Sequence, residues 1–362
     1  MNILIVTGHP AQVHNFRILK SELQKKGHQV FWLATNKDIS KYLLNYYGIN
    51  YALLKKPGKS LLSKILCFIQ NTFIALKFIR RNKIDIAVSR ISPYTSIACY
   101  LMKITHFGLT DTESAGIYDK FFSRFLSVLL TAKSFKRQLR SDQIRFDANI
   151  ELFYLHPLRF KPLTQKIVEE KLKIDPGMPY VIMRFVSWEA YHDNGISGFT
   201  DANKVKAAEK FSAYSRVFIS SESELRPELE PYRIRIPPEM MHDVMAYATL
   251  FFGESATMAS ESAVLGTPAI FLDKIGRGYT DEEETYGLVY NFKNAPEHQE
   301  ASIQKGLELL TDPNINSSIK RKHRKFLHEK IDVTGFMVWF IENYPGSFKI
   351  MKENPEYHYK FK

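Results

Sequence analysis

"TLFFGESATMASESAVLGTPAIFL", residues 249–272, is the stretch that decides the fold class. An apolar run ends at Gly253, small and hydroxyl residues follow, and a Gly-Thr-Pro break precedes a second apolar run. This pattern predicts a buried strand, a helix that begins near Ser255, and another buried strand. A helix that starts where a parallel strand ends is a common place for a bound phosphate. A capped helix whose small residues only pack closely against the sheet explains the pattern equally well.

The same alternation of apolar runs and helical segments extends along the chain. The first half contains "NILIV", "QVFWLA", "IDIAVS" and "ITHFGLT", and the pattern restarts with "YVIMRFV", "RVFIS", "YRIRI", "TLFFG" and "PAIFL". Because strands that alternate with helices form parallel sheets, the sequence predicts an α/β protein with two doubly wound, Rossmann-like domains. A chain of 362 residues is long enough to bury two cores.

Prolines indicate the joint between these two domains. Four of them lie between His156 and Tyr180, where they disfavour a continuous core element. The predicted boundaries are residues 1–160 for the first domain, 161–178 for a linker and 179–331 for the second domain. Residues 332–362 are predicted to form an aromatic helical segment and tail that fold back across the first domain.

The composition narrows the class of protein and of partner. With 45% hydrophobic and 24% charged residues, the chain is typical of a folded protein. Cys67 and Cys99, its two cysteines, lie in apolar runs, which is typical of core residues in a reducing, cytoplasmic compartment rather than of a disulfide or metal site. A net charge of +12 indicates an anionic partner, either nucleotide phosphates or acidic lipid headgroups. Nucleic acid is disfavoured because no recognition motif for it is present.

Several catalytic signatures are missing from the sequence. It has no P-loop, no G-x-G-x-x-G after a strand and no H-E-x-x-H. These absences disfavour NTPases, dinucleotide-dependent oxidoreductases and zinc hydrolases. Chemistry is therefore sought at the strand-to-helix turns, where backbone amides and helix dipoles are available.

Two such turns in the second domain carry candidate nucleotide-binding residues. The helix start after "LFFG" would let a diphosphate approach the backbone amides, and Glu261, one turn beyond Thr257, suits hydrogen bonds from ribose hydroxyls. The turn "RFVSWEAYHD" offers Arg184 to the diphosphate, although Arg184 paired with a surface acid and Trp188 in the core is an equal alternative. The predicted nucleotide-binding residues here are Arg184, Ser187, Trp188, Gly253, Glu254, Ser255, Ala256, Thr257 and Glu261.

Two turns in the first domain carry candidate bases. "TGHPAQVHNF" joins the first strand to the first helix and contains His9 and His14, either of which suits a base or an anion ligand; a histidine that caps the helix is the alternative. "LTDTESAG" ends another strand with Asp111 and Glu113, and an acid at such a place is either a general base or an N-cap.

A basic, apolar helix is predicted from Ser60 to Asn82. Its longest uncharged run, Ile65 to Leu76, has twelve residues and contains Gln70 and Asn71, so it is too short and too polar to span a bilayer. Lysines and arginines flank this run, which favours a helix that lies on an anionic membrane, whereas a buried crossover helix is the alternative. The basic aromatic segment "YDKFFSRFLSVLLTAKSFKRQLR" adds to the membrane interpretation.

The chain resembles the family called domain of unknown function 354, in order over nearly its whole length. The similar segments are "GHPAQVHNFRILKSELQKKGHQV", "SRISPY", "TDTE", "YLHPLRF", "RFVSWEAYHD", "FISSESEL", "IPPEMMHDVMAYATLFFGESATMASESAVLGTPAIFL", "YGLVYNF" and "KIDVTGFMVWFIENYP". That family is glycosyltransferase-like. The resemblance implies the GT-B fold, two Rossmann-like domains facing across a cleft with a C-terminal helix that crosses back to the first.

Parts of the chain are also similar to the lipid-linked N-acetylglucosaminyltransferases of peptidoglycan synthesis. The donor site of those enzymes has a small-residue helix start, a Glu and a Gly-x-Pro, and their first strand ends in a Gly-His turn that matches Gly8 with His9 or, counted from the end of the first helix, His14. The donor-site pattern falls here on Gly253, Ser255, Ala256, Thr257, Glu261, Gly266 and Pro268.

The strand end "LTDTESAG" is similar to the His-Val-Glu-Ala-Gly of the non-hydrolysing UDP-N-acetylglucosamine 2-epimerases, with Glu113 at the position of the acid. The basic residues that follow this acid in the epimerases are missing from "SAGIYDKFF". This departure favours sugar transfer over epimerisation.

The resulting prediction is a metal-independent glycosyltransferase without a cofactor, whose substrate is a nucleotide diphosphate sugar, such as a UDP sugar, and whose acceptor hydroxyl belongs to a carbohydrate or lipid-linked precursor of a surface polysaccharide. The alternatives are an epimerase of the same fold and a non-catalytic scaffold of polysaccharide assembly. The expected location is the cytoplasm, with the inner face of the plasma membrane as a candidate peripheral site. The residues expected to contact the base are near Pro237, and those expected to contact the donor sugar are Thr280, Asp281 and Glu282.

Overall fold

The computed structural model describes residues 1–56, 58, 60–113, 116–186, 198–221, 224–273 and 276–362. The chain divides into two units. The first contains Met1–Arg159 and Lys330–Lys362, and the second contains Phe160–Glu329.

The first unit is built on a parallel sheet. Its strands are β1 (Asn2–Thr7), β2 (Gln29–Thr35), β3 (Ala52–Leu54), β4 (Ile86–Ser89), β5 (Thr105–Thr110), β6 (Val128–Ala132) and β7 (Ile144–Phe146). The helices that connect them are α1 (Pro10–Lys25), α2 (Asp38–Tyr46), α3 (Leu61–Arg81), α4 (Pro93–Leu101), α5 (Gly116–Phe122) and, after β7, α6 (Leu152–Leu155). The spatial order is β3-β2-β1-β4-β5-β6-β7, and every pairing is parallel.

Apolar side chains on both faces explain why these strands form the centre of the unit. Ile3–Val6 of β1 are buried, and α1 buries Val13, Phe16 and Leu19 at helical spacing. The chain runs outward from β1 to β3 and then returns to place β4 on the other side of β1. This reversal creates a topological switch point between β1 and β4, where the carboxyl ends of the strands offer room for a ligand.

The second unit contains a smaller parallel sheet. Its strands are β8 (Tyr180–Phe185), β9 (Arg216–Ser221), β10 (Leu250–Gly253), β11 (Ala269–Leu272) and β12 (Val289–Phe292), in the order β12-β11-β10-β8-β9. Here the switch point lies between β8 and β10. The helices are α7 (Gln165–Leu172), α8 (Asp201–Ser212), α9 (Met241–Met245), α10 (Ala256–Leu265), α11 (Gly278–Thr285), α12 (Pro296–Thr311) and α13 (Ile315–Glu329).

The C-terminal segment belongs to the first unit. Its helices are α14 (Val333–Glu342) and α15 (Gly346–Glu353). Phe340 of α14 lies with its ring centroid 5.6 Å from that of Phe107 in β5, and Thr334 donates a hydrogen bond of 2.8 Å to the carbonyl of Phe153. An aromatic helix with buried side chains therefore completes the core of the unit from which the chain started.

Two sequence predictions of organisation differ from the structure. The predicted linker, residues 161–178, belongs to the second unit and contains α7, whose Val168 is fully buried, because its prolines flank the helix rather than interrupt it. The run "YRIRI" is not a strand: among the described residues it contributes a single bridge, between Arg233 and Ile219, after a short 3-10 helix. Alternating charges leave this run without two apolar faces.

Candidate functional site

The switch point of the second unit brings β8 and β10 into close contact. Gly253, the last residue of β10, is in register with Arg184 of β8. A Cβ at position 253 would lie 2.9 Å from the Arg184 nitrogen and closer still to the Arg184 carbonyl oxygen. The glycine is therefore required by the approach of the two backbones, whether or not a ligand binds above them.

The helix α10 begins directly beyond this contact. Ser255 is its N-cap, and the Ser255 hydroxyl accepts a hydrogen bond of 3.3 Å from the Met258 amide. Ala256 and Thr257 are half-buried, and their backbone amides belong to the first turn of the helix, at the positive end of its dipole. The helix ends at Gly266, whose φ of 87° only glycine adopts readily. This geometry is compatible with a phosphate bound at the start of the helix.

Glu254 is not placed as predicted for a nucleotide ligand. The side chain is buried, and its carboxylate accepts hydrogen bonds from the Val186 amide at 2.9 Å and the Phe199 amide at 2.5 Å. Glu254 therefore anchors the chain on both sides of residues 187–197. Ser187 and Trp188, two further predicted nucleotide-binding residues, lie outside the described residues.

Arg184 contacts a neighbouring strand of the sheet. Its guanidinium donates a hydrogen bond of 2.7 Å to the Ser220 hydroxyl on β9, which is the residue in register with it. Arg184 is half-buried at the carboxyl end of the sheet, where a cation suits a diphosphate. Pro237, the residue predicted near the base, is exposed just before the 3-10 turn that leads into α9.

Glu261 lies in a buried pair with a histidine. The His242 ring nitrogen Nε2 on α9 is 2.8 Å from the Glu261 Oε1 on α10, and both side chains are about 6% exposed. The Phe160 ring contacts the edge of His242. The predicted ribose ligand is thus held in one orientation by a neighbouring helix, in the way that a positioned hydrogen-bonding group requires.

The three predicted donor-sugar residues differ in their access to solvent. Thr280 is fully buried, and its hydroxyl donates to the Arg277 carbonyl at 3.1 Å inside the first turn of α11, so that prediction is wrong. Asp281 lines a cavity of about 260 Å³ together with Asp273 and Asn291. Glu282 is half-buried beside it on α11. Asp281 lines a cavity, and the roles of Asp281 and Glu282 toward a sugar stay predictions from the sequence.

In the first unit, the turn after β1 is fixed by local hydrogen bonds. The His9 ring nitrogen Nδ1 accepts a hydrogen bond of 3.3 Å from the Ala11 amide, which makes His9 the N-cap of α1. The Gly8 amide donates to the Gln12 side chain at 2.7 Å. His9 is exposed, and its Nδ1 atom caps the helix, as one of the two predictions from the sequence has it.

His14 is enclosed by aromatic side chains inside the first unit. Its ring centroid lies 5.9 Å from that of Tyr47 and 5.6 Å from that of Tyr154 on α6. Only about 7% of His14 is exposed. His14 is about as enclosed as Glu113 and Asp119 of the same unit, so its role as a base stays a prediction from the sequence.

The carboxyl ends of β4 and β5 bring several charged residues together. Arg90, directly after β4, forms an ion pair with Asp111, directly after β5. The Thr112 hydroxyl also donates to Asp111, at 3.0 Å. Glu113 is buried at the next turn. The Asp111 carboxylate therefore holds the Arg90 guanidinium at the carboxyl end of the sheet.

Asp119 on α5 is the residue in this group with the most perturbed acidity. It is buried, and its Oδ2 accepts a hydrogen bond of 2.5 Å from the Thr110 hydroxyl at the end of β5. Burial raises the pKa of Asp119 from 3.8 to about 6; Thr110 and Arg90 oppose the rise, as Arg137 does more weakly, and Asp111 adds to it. A carboxyl with a pKa near neutrality is suited to proton transfer.

Asp119, Arg90 and His242 were missed as functional candidates in the sequence. Asp119 is the one acid in the aromatic segment from Gly116 to Ser141, a signal that could have identified it. Arg90 and His242 carry no such signal, because their partners are 21 and 19 residues away in sequence. In the described part of the chain, no group of three or more His, Cys, Asp or Glu side chains could hold a metal ion.

Comparisons with solved structures identify the fold. The UDP-N-acetylglucosamine 2-epimerase of Neisseria meningitidis, in complex with UDP-N-acetylglucosamine, matches with a TM-score of 0.65 at 15% identity, over 95% of this chain and 100% of that one. MurG of Acinetobacter baumannii matches at 0.59 and 15% identity, over 94% and 99% of the chains. The glycosyltransferase SsfS6 of Streptomyces sp. SF2575 matches at 0.59 and 11% identity, over 95% and 100%. No protein-family model matches the sequence, and no curated protein sequence matches it.

These matches cover nearly the whole length of every chain compared. The protein therefore has the α/β fold with two parallel sheets that is shared by GT-B glycosyltransferases and UDP-N-acetylglucosamine 2-epimerases. The fold prediction made from the sequence is confirmed.

Proposed function

We propose that the protein is a glycosyltransferase that takes the sugar from a nucleotide diphosphate donor and passes it to an acceptor hydroxyl. The observation that carries the proposal is the arrangement at the switch point of the second unit. The backbone amides at the start of α10, the Arg184 guanidinium and the Glu261 carboxylate, which His242 holds, occupy adjoining elements there. Together they suit a diphosphate followed by a ribose.

In this proposal the second unit stabilises the leaving group. As the bond between the anomeric carbon and the diphosphate oxygen breaks, its electron pair stays on the diphosphate. The α10 dipole and Arg184 favour the negative charge that develops. Glu261 accepts hydrogen bonds from the ribose hydroxyls, and Asp281 faces the sugar from its cavity.

Proton transfer is assigned to the first unit. Asp119 accepts the proton of the acceptor hydroxyl while the acceptor oxygen forms the new bond to the anomeric carbon. Its raised pKa supports this role, because a base with a pKa near the working pH combines sufficient basicity with a large ionised fraction. Glu113, His14, His9 and Asp111 stay the other candidates from the sequence.

Sugar-nucleotide epimerisation is the second candidate function. The Neisseria meningitidis epimerase has a higher TM-score to this chain than the two other structures compared. The product separates the two reactions. A transferase releases the free nucleotide diphosphate only when an acceptor is present, whereas an epimerase returns a changed sugar still attached to its nucleotide.

A charge introduced at position 257 tests the diphosphate site. Thr257→Asp places a carboxylate in the first turn of α10, which stabilises a helix by about 0.3–1 kcal/mol and so preserves folding. The same charge repels a diphosphate, and we expect the affinity for UDP measured by calorimetry to fall by about tenfold or more. Thr257→Asn is the matched neutral control and should retain the wild-type affinity. Equal binding by all three proteins would show that the diphosphate does not lie at this helix start.

Membership of the family called domain of unknown function 354 stays a prediction from the sequence. The proposed acceptor, a lipid-linked or surface-polysaccharide precursor, is also a prediction from the sequence. A panel of nucleotides and nucleotide sugars in a thermal-shift assay is the direct measurement of the donor, because a ligand of the folded state raises the melting temperature. A panel without any shift would contradict the proposed function.

A further inference from the structure

Exposed apolar side chains are concentrated on one part of the first unit. Of the twenty large apolar and aromatic residues exposed in the described part of the chain, ten lie between Leu61 and Phe121. We call them the apolar face: Leu61, Leu62, Ile65, Leu66, Ile69, Phe73, Tyr100, Leu101, Tyr118 and Phe121. A concentration of this kind marks an interaction surface, whereas scattered exposed residues need no explanation.

The helix α3 provides most of this face. Its buried residues, Cys67, Asn71, Ala75 and Ile79, recur every four positions, and Ala75 and Ile79 pack in the core of the unit. Helical spacing puts Leu62, Ile69 and Phe73 on the opposite side, where they are 67%, 45% and 66% exposed. The helix is thus apolar toward the sheet and apolar toward solvent as well.

Aromatic contacts connect α3 with the rest of the face. The Phe68 ring of α3 lies 6.3 Å from that of Phe122 on α5, and Phe122 contacts the exposed Phe121 at 5.0 Å. Tyr100 on α4 lies 5.4 Å from Phe125, which contacts Phe121 in turn. The face is therefore continuous over α3, α4 and α5.

The charge around this face has one sign. The sequence from Ser60 to Ile84 and that from Pro93 to Thr105 contain no Asp or Glu, and the acid between Gly116 and Ser141 is the buried Asp119. The exposed charged residues of these segments are Lys64, Lys77, Arg80, Arg81, Lys83, Lys103, Lys120, Arg124, Lys136 and Arg137, together with Lys133, which is paired with Asp147 and Glu356. An apolar surface surrounded by cations complements an anionic lipid bilayer, whose headgroups attract the cations and whose acyl region accepts the apolar side chains.

The packing of α3 indicates how it would meet a bilayer. The sequence predicted an uncharged run too short to span a bilayer, but by length and composition the whole of α3, with 21 residues, is the one helix among the described residues that could cross a membrane. It is, however, the connection between the parallel strands β3 and β4, and Asn71 in its middle bonds both ways with the Lys55 backbone, at 2.8 and 3.0 Å. Withdrawing the helix from the sheet would break those bonds and open the core. A helix held in this way lies on the membrane surface.

We infer that the apolar face docks the first unit on an anionic lipid bilayer. The basic residues supply attraction over a distance, and Leu62, Ile69, Phe73 and their neighbours insert below the headgroups. Lys55 and Lys56 border a cavity of about 360 Å³ beside the start of α3. Lys77, Arg80 and Arg81 lie at the end of the same helix, so both ends of the face carry cations. This inference does not depend on the proposed enzymatic activity.

Vesicle sedimentation of the full-length protein tests the inference. We expect binding to phosphatidylcholine vesicles that contain phosphatidylglycerol to exceed binding to pure phosphatidylcholine by about tenfold or more, and to weaken in about 1 M salt. The variant Leu62→Gln with Ile69→Gln and Phe73→Gln should bind about tenfold less. A variant with Lys77→Gln, Arg80→Gln and Arg81→Gln should lose much of the preference for anionic vesicles.

A matched control removes equally exposed apolar side chains elsewhere. Leu158→Gln with Leu163→Gln and Tyr214→Gln should bind vesicles like the wild type, and circular dichroism should show that all variants are folded. Equal loss in this control, or no binding of the wild type, would overturn the inference. So would ultracentrifugation showing that the apolar face joins two copies of the chain in a dimer that ignores vesicles. Nucleotide binding by the α3 variant, unchanged from the wild type, separates failure here from failure of the proposed function.

Discussion

Replacing Asp119 with Asn is expected to stabilise the protein and to inactivate it at neutral pH. The Asn side chain keeps the shape of Asp and an oxygen that accepts the hydrogen bond from Thr110, which is 2.5 Å in the structure. What it removes is a negative charge held in a buried place, where desolvation disfavours the ionised form. A catalytic carboxyl is expected to lower the stability of the folded protein in this way, because activity requires the charge that burial disfavours.

The magnitude follows from the pKa of Asp119. Because this pKa is raised from 3.8 to about 6, the folded protein holds the proton more tightly than the unfolded chain does. Stability from this group therefore falls as the pH rises from about 4 to about 6, and the full penalty applies above that window. At about 1.4 kcal/mol per pKa unit, the penalty is about 3 kcal/mol. Asp119→Asn should gain that amount at pH near 7 and almost nothing at pH near 4.

Denaturant unfolding followed by circular dichroism measures this difference. The free energies of unfolding of wild type and variant should converge as the pH is lowered. Thr110→Val, which removes a hydroxyl that favours the charged form, should raise the pKa of Asp119 further and lower the stability at neutral pH. A variant Asp119→Asn that is no more stable than the wild type at neutral pH would refute the reasoning.

The activity of the same variant tests the role of Asp119 as the base. Turnover should fall by about 10²–10⁴-fold, with the affinity for the nucleotide retained. The wild-type rate should decline below a pH of about 6, and Thr110→Val should move this decline to higher pH. Wild-type turnover by Asp119→Asn would exclude Asp119 as the base while leaving the stability argument intact.

Two further predictions concern the second unit. Glu261→Gln should weaken UDP binding by about tenfold to a hundredfold, as expected for a lost hydrogen bond to a charged group, but should change 2′-deoxy-UDP binding much less; calorimetry that shows equal losses would exclude the ribose contact. His242→Ala should act in the same direction through the position of Glu261. Gly253→Ala should lower the stability by about 1–3 kcal/mol in thermal unfolding, because its Cβ would meet the Arg184 backbone, whereas Gly346→Ala, with open space around its Cβ, should not; equal effects would contradict the close approach of the two strands.

The sequence predicted the fold because the fold depends on a pattern that repeats along the chain. Apolar runs with helices between them require parallel strands, and the helix boundaries near Ser60, Pro93 and Ser255 agree with the structure to within a few residues. The predictions that went wrong concerned short or charged segments. The run "YRIRI" is short and alternates charged with apolar residues, and prolines interrupt the region of residues 161–178, so tertiary packing decided their structure.

The candidate site was predicted less completely, because a side chain's role depends on what it touches. Sequence spacing located the start of α10 and the position of Glu261. It could not show that the Glu254 carboxylate accepts hydrogen bonds from the Val186 and Phe199 amides. Nor could it show that the Thr280 hydroxyl donates to the Arg277 carbonyl, or that His14 lies between two tyrosine rings. The partners of Glu254 and His14 are far away in the sequence, whereas Thr280 bonds to the carbonyl of Arg277, three residues before it.

Residue type and period are therefore enough to specify the two parallel sheets and the strand-to-helix turns. They also specify the basic, apolar character of the segment that forms α3. The tertiary structure was needed to show which acid is buried away from water and which apolar face of a helix is exposed to solvent. Both are consequences of burial, and burial depends on how the strand order β1-β4-β5 and the packing of α3, α4 and α5 bring distant segments together. The raised pKa of Asp119 and the exposed side of α3 result from that assembly.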